Sequence, residues 1–278
     1  MSQIKTAAIL IIGDEVLNGK IQDTNSRFFA KFLFEKGIQL QKILVIGDES
    51  QDIIESVREL SSKYDFIVTT GGIGSTHDDI TYESIAKAFD LNLELHQETV
   101  DKMIKLRKST SKQLEGDALK AQLRMATLPK GSNVENIYLN EELWVPIVGI
   151  NKKLYIFPGV PQLFEKMVKG LVEQHLNSRI PEENKFIRFY VSTKLSESEI
   201  APHLTQLQKK AQDDGFEDVK IGSYPHLGLQ VNTISILARS KNKDYLRSIV
   251  DYSIKNLQGV EIDSKLEDEY SNNVDPLK

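Results

Sequence analysis

Apolar runs of strand length alternate with helical periodicity through the first part of this chain. Ala7-Ala8-Ile9-Leu10-Ile11-Ile12 is unbroken and ends at Gly13, which predicts a strand buried on both faces. Asp23, Thr24 or Asn25 can cap a helix that carries Phe28, Phe29, Phe32 and Leu33, with Gly37 as its stop. Ile43-Leu44-Val45-Ile46 predicts a second strand. Ser50 can cap a helix with Ile53, Ile54, Val57 and Leu60 on one face. Phe66-Ile67-Val68 predicts a third strand, and a helical pattern with Ile80, Ile85 and Ala88 follows. Such β-α-β repetition implies an α/β fold, a three-layer arrangement with a mostly parallel sheet between helices.

A charged helical stretch is predicted from roughly Gln97 to Arg124. Strands then read at 144–148 and 154–157. Pro158-Gly159-Val160-Pro161 closes the second of these, and a helix with Leu163, Phe164, Met167 and Val168 follows. Residues 177–184 are polar and contain a proline, as linkers do. Beyond them the order changes to strand 186–191, helix 197–212, strands near 219–221 and 231–237, and helix 243–257. That order predicts a smaller α+β domain. The expected division is 1–180 for the first domain, 181–264 for the second, and a polar, fraying tail over 265–278.

Composition narrows the chemistry. With 35 basic and 40 acidic residues among 278, the net charge is −5, which gives no support for broad nucleic-acid binding. The absence of cysteine removes disulfides, thiol nucleophiles and thiolate-bound zinc. No apolar run reaches membrane-spanning length and the N-terminus has no signal-peptide pattern, so a soluble cytoplasmic protein without membrane partners is expected.

The richest segment is Thr69-Thr70-Gly71-Gly72-Ile73-Gly74-Ser75-Thr76-His77-Asp78-Asp79-Ile80-Thr81. It puts three glycines and several hydroxyls between a strand and a helix, where free backbone N–H groups and the helix dipole suit phosphate. Asp78 and Asp79 close the loop as candidate ligands for a divalent cation. Their plainer role is to stabilise a helix N-terminus. Asp14 and Glu15, after the first strand, would orient water or support the metal, or else form a solvated turn. Asn25 and Asp48 can reach the same crevice, with helix capping or turn formation as alternatives. Lys130 is a candidate phosphate contact. Lys102, Lys105, Arg107, Lys108, Lys112, Lys120 and Arg124 form a basic stretch that reads best as a solvated helix face. The Pro158-Gly159 turn lets a ligand approach backbone, or simply starts a helix. His77 is read as a bystander.

Four ordered blocks resemble the MoaB/Mog-like molybdopterin-binding superfamily. They are residues 13–20 with 23–26, the glycine loop through Thr81, residues 126–132, and Pro158-Gly159-Val160-Pro161. The resemblance is nearest to the branch holding the CinA N-terminal domain and the corresponding domain of FAD synthases. Residues 197–201 and 221–225 resemble the KH-like module that follows in that branch. Neither the amidase domain of long CinA proteins nor the nucleotidyl-transferring domain of FAD synthases is seen, so the chain is similar to stand-alone fungal FAD pyrophosphatases. The resemblance implies cleavage of FAD-like dinucleotides aided by magnesium or cobalt, with potassium, in a homodimer. Carried over, Gly71, Gly72, Gly74, Ser75 and Thr76 hold the pyrophosphate and Asp78 and Asp79 the metal. Asp14 and Glu15 then line the opposite wall, and Asn25, Lys130, Pro158 and Gly159 shape the pocket. Molybdopterin binding or adenylylation, and nucleotide binding without turnover, stay open beside hydrolysis. RNA binding by the second domain lacks its GxxG loop.

Overall fold

The structure, a computed structural model, describes residues 2–106, 114–182 and 185–272. The chain divides into two compact units, 1–181 and 182–278. In the first, β1 (Thr6–Ile12), β2 (Gln39–Ile46), β3 (Phe66–Thr70) and β8 (Leu154–Phe157) run parallel. Antiparallel β7 (Ile147–Ile150) and β6 (Val134–Ile137) extend the sheet, giving the order β2-β1-β3-β8-β7-β6. β3 is buried throughout and β1 nearly so, as their continuous apolar runs require.

Helices α2 (Asn25–Glu35), α3 (Ser50–Lys63) and α7 (Pro161–Leu171) each turn one apolar stripe to the sheet. Phe29, Phe66, Phe157 and Phe164 meet at its centre, with ring centroids 5.6–6.4 Å apart. The predicted 97–124 helix is two helices, α5 (Gln97–Lys105) and α6 (Gly116–Arg124); Arg107, Lys108 and Lys112 lie outside the described residues. A two-stranded ladder of β4 (Asn92–Leu95) and β5 (Thr127–Lys130) completes this unit, with α1 (Asp14–Leu17) and α4 (Thr81–Ala88).

The second unit is an antiparallel sheet in the order β10-β11-β9-β12, from β9 (Phe186–Thr193), β10 (Lys220–His226), β11 (Val231–Arg239) and β12 (Val260–Ile262). Helices α8 (Glu197–Asp213) and α9 (Lys243–Asn256) bury Ile200, Leu207, Leu246 and Val250 in its core. Ser196 and Glu199 begin α8 with a reciprocal capping box. β12 pairs with β9 inside the expected second domain, while residues 265–272 of the expected fraying tail are helical, in α10 (Ser264–Asn272). Asp263 accepts from the Leu266 amide at 2.8 Å and starts this helix, which seats buried Glu267 near His226, 3.9 Å away. Residues 273–278 of the predicted tail lie outside the described residues. Among the described residues no helix is long and apolar enough to cross a membrane.

Candidate active site

Parallel strands all point one way, so β1, β2, β3 and β8 deliver Gly13, Gly47, Gly71 and Pro158 to one edge of the sheet. The glycine loop leaves β3 there. Gly71 (φ 108°) and Gly72 (φ 64°) take backbone conformations that side chains resist, and a Cβ on Gly71 would sit on the Ile12 carbonyl oxygen. Thr81, first residue of α4, fastens the loop: its hydroxyl donates to the Gly71 carbonyl and its amide to the Gly72 carbonyl, both at 3.0 Å.

Asp79 has a different place from the one expected. Its carboxylate folds back into the loop, where it accepts from the Gly74 amide at 2.6 Å, the Thr76 amide at 2.8 Å and the Thr76 hydroxyl. Two amides expected to meet phosphate are therefore occupied by an anion the loop carries itself. The Gly71 amide is also taken, by the Phe157 carbonyl at 3.2 Å. Among the described residues the amides of Gly72, Ile73 and Ser75 have no hydrogen-bond partner. Of these, Gly72 and Ile73 lie on the cavity wall, where their amides can serve a ligand anion.

Carboxylates gather beside that loop. Asp48 accepts from the Asp14 amide at 3.0 Å, which starts α1 and ties the loop after β2 to the one after β1. Partial burial pushes the Asp48 carboxyl above its ordinary value; the Asp14 hydrogen bond opposes this, and the charges of Asp14, Glu15 and Asp78 add to it. Asp48 Oδ1 faces Gly72, 3.5 Å from where a Cβ would stand. The negative charge concentrated there fits a hard divalent cation. Among the described residues no three His, Cys, Asp or Glu side chains form a metal cage, so the fit is to an ion that takes one or two carboxylates and completes its shell with substrate and water.

A cavity of about 550 Å³ opens along the same edge, lined by Glu15, Asn25, Thr70, Gly71, Gly72 and Gly74 among others. Much of its remaining wall is apolar and includes Ile12, Val16, Ile21, Met125, Trp144 and Val160, beside the polar Gln22, Asp23 and Thr24. Ile21 and Val160 are 50% and 59% exposed, an apolar rim left uncovered by the protein itself. Asn25 fixes the back wall. Its amide nitrogen donates to the Thr70 hydroxyl and the Gly159 carbonyl, each at 3.0 Å, while Thr70 donates to the Pro158 carbonyl at 2.9 Å. Because Gly159 can only accept there, the direction of this chain of bonds is determined.

The structure thus brings together Glu15, Asn25, Gly71, Gly72, Gly74, Asp79, Pro158 and Gly159 on one cavity, with Asp14, Asp48 and Asp78 linked to it through Asp48. Ser75, Thr76, His77 and Asp78 are exposed and do not line it. Lys130 is a correction: it is ion-paired with Glu94 in the β4–β5 ladder and lines a different surface hollow. Reasoning from sequence missed Trp144, Met125 and Ile21. The single tryptophan of the chain was a usable signal for the first; the other two are brought in only by the tertiary fold.

Comparison with known proteins accords with this architecture. Residues 8–178 match the family described as probable molybdopterin binding domain, and residues 185–265 match the FAD synthase middle domain. A protein named probable FAD synthase from Caenorhabditis elegans is 33% identical over 263 residues, covering 90% of this chain and 49% of the relative. Its Caenorhabditis briggsae counterpart is 32% identical over 249 residues, covering 81% and 44%. The chain therefore spans about half the length of the curated relatives it matches. Among solved structures, the protein CinA of Thermoplasma acidophilum, described as of unknown function, superposes with a TM-score of 0.53. It is 28% identical and covers 62% of this chain and 98% of its own. With its glycine loop at the carboxyl edge of a mostly parallel sheet and a family match over most of the first unit, this chain belongs to the molybdopterin-binding-domain (MoaB/Mog-like) family, in the form that carries an FAD synthase middle domain behind it.

Proposed function

We propose that this protein is a metal-dependent pyrophosphatase that cleaves FAD, or a related dinucleotide such as NAD(H) or ADP-ribose, into mononucleotides. The observation that carries this reading is the meeting of two free amides, at Gly72 and Ile73, with Glu15 on the wall of a largely apolar cavity, and with Asp48 facing Gly72 beside it. The relatives named probable FAD synthase, and the match to that enzyme's middle domain, favour a flavin dinucleotide. The direction of reaction, hydrolysis rather than synthesis, is part of the proposal. Hydrolysis needs only water beside the diphosphate.

In this reading the diphosphate lies on the free amides, which stabilise charge developing on its oxygens. The flavin ring covers the apolar wall with Trp144 and the exposed Ile21 and Val160. Asp48 and Asp78 would hold the cation, which would supply charge neutralisation on the phosphate oxygens. Asp79 takes no part in ligation and keeps the loop open by filling its inner amides. Glu15 orients a water whose oxygen attacks one phosphorus, and its carboxylate receives the proton. The bond from that phosphorus to the bridging oxygen breaks, and FMN and AMP leave as monophosphates.

The test is incubation of the full chain with FAD, magnesium or cobalt, and potassium, with chromatography of the nucleotides. FMN and AMP in equal amounts are expected, with loss of both in Glu15→Gln. Failure of the wild-type chain to make FMN with any of these ions overturns the proposal. Copurifying pterin, with FAD left intact, would place the chain among pterin-binding members of its family instead.

A further inference from the structure

The glycine loop has a second face. Ile73, Gly74 and Asp79 line both the cavity described above and a separate one of about 380 Å³. Tyr82, Glu83, Leu93, Leu95, Leu123 and Arg124 form most of its other walls. Nothing in the reaction outlined above uses it.

Two independent features mark it as built for a ligand. Tyr82 is 6% exposed, yet its hydroxyl has no hydrogen-bond partner among the described residues. A buried hydroxyl in that condition is costly unless something outside the fold satisfies it. Leu93 and Leu95, on β4, are 37% and 43% exposed and line the same cavity, an apolar surface the protein does not cover. Arg124 links this cavity to the anion site. One guanidinium nitrogen donates to the Thr76 carbonyl at 2.8 Å and another to Glu83 Oε1 at 3.4 Å. Glu83 Oε2 has no partner among the described residues and remains an acceptor.

We infer that this cavity binds the adenine nucleoside half of the dinucleotide, so that the substrate lies across the glycine loop with one ring system on each side. The inference rests on the proposed pyrophosphatase reading and assigns its second half-site. The larger cavity, with Trp144, suits the tricyclic flavin; the smaller one suits a purine. Leu93 and Leu95 take the face of the purine, the Tyr82 hydroxyl bonds its edge, and Glu83 accepts from the ribose hydroxyls. Acidic side chains serve ribose in this way at other nucleotide sites.

Adenosine and riboflavin, which carry no phosphate, separate the two half-sites. Each is titrated into the full chain by NMR, alone and with the other present. Both are expected to bind together without competing. Leu95→Asp, at an exposed position, is expected to weaken adenosine at least about tenfold and riboflavin less than about twofold, a difference well outside titration error. Tyr82→Phe keeps the ring and is expected to weaken adenosine about fivefold, the effect of one neutral hydrogen bond. Competition between the two probes, equal losses for both in Leu95→Asp, or a wild-type chain that binds no adenosine would overturn the inference. Loss of adenosine binding in Leu95→Asp from a chain that leaves FAD intact would keep this half-site and end the pyrophosphatase reading. FAD cleavage with adenosine binding unchanged in Leu95→Asp would do the reverse.

Discussion

Replacing Asp79 by Asn separates two roles for this carboxylate, loop clamp and metal ligand. In the structure both of its oxygens face donors: Oδ1 the Gly74 amide, Oδ2 the Thr76 amide and hydroxyl. Asparagine keeps one acceptor and turns an NH₂ towards the other amide, so one bond becomes a donor–donor clash. A hydrogen bond to a charged group contributes about 1.5–3 kcal/mol, and the lower half of that range suits a half-exposed loop. Losing the Gly74 bond, and weakening the two from Thr76 by removing the charge, costs the loop about 2–3 kcal/mol. If the free amides act only while the loop holds its shape, kcat/KM for FAD falls by about 30- to 160-fold. Magnesium should not restore it if Asp79 clamps the loop instead of holding the metal. The assay is steady-state FMN release across a magnesium titration, with thermal unfolding as a control. The melting temperature should fall by about 4–12 °C, as such a loss implies, with the fold retained. Full activity in Asp79→Asn, or recovery at high magnesium, would refute the reasoning.

Other substitutions test the scaffold. Asn25→Ala removes both bonds that join α2 to Thr70 and Gly159 and leaves the Gly159 carbonyl unserved; destabilisation of about 2–3 kcal/mol is expected in urea unfolding, and an unchanged midpoint would contradict the role given to Asn25. Gly71→Ala drives a methyl group into the Ile12 carbonyl at φ 108° and should destabilise by about 2 kcal/mol or more, read by the same method. Asp65 gives a pH test. Burial works against its ionisation, but hydrogen bonds from the Thr6 and Lys5 amides and the Thr6 hydroxyl outweigh that and hold its carboxyl below 3.8, its ordinary value. A depressed folded-state value contributes fully above the unfolded value and is lost as pH falls through the folded one. Wild type should therefore exceed Asp65→Asn in stability at neutral pH and lose that lead in acid below 3.8; a lead that persists undiminished in strong acid would contradict this.

Much of the site was legible because buried parallel strands are continuous apolar runs, and their ends fix where loops gather. Gly13, Gly71 and Pro158 could be placed on one edge from β1, β3 and β8 alone. The four-residue strands β4 and β5 were not legible: Asn92–Leu95 is exposed throughout, and Thr127–Lys130 contains a proline. Their pairing takes Lys130 away from the phosphate loop and creates the second cavity. The sequence marked Asp79 as a candidate, but the direction of its carboxylate was not readable. A carboxylate at the start of a helix can face a cation or turn back on its own loop, and only the amides of Gly74 and Thr76 decide between them. Helix α10 was missed because its apolar positions are few, chiefly Leu266 and Tyr270, and its most buried side chain is Glu267.

The central claim is that a diphosphate held by the free amides of Gly72 and Ile73 is cleaved with the help of the carboxylates beside them. Phosphorus NMR of FAD mixed with the full chain, magnesium and potassium tests it most directly. The account predicts that the two coupled diphosphate resonances give way to two monophosphate resonances, and that Asp48→Asn stops the change. A diphosphate signal that persists unaltered, or one converted equally well by Asp48→Asn and Glu15→Gln, would contradict it.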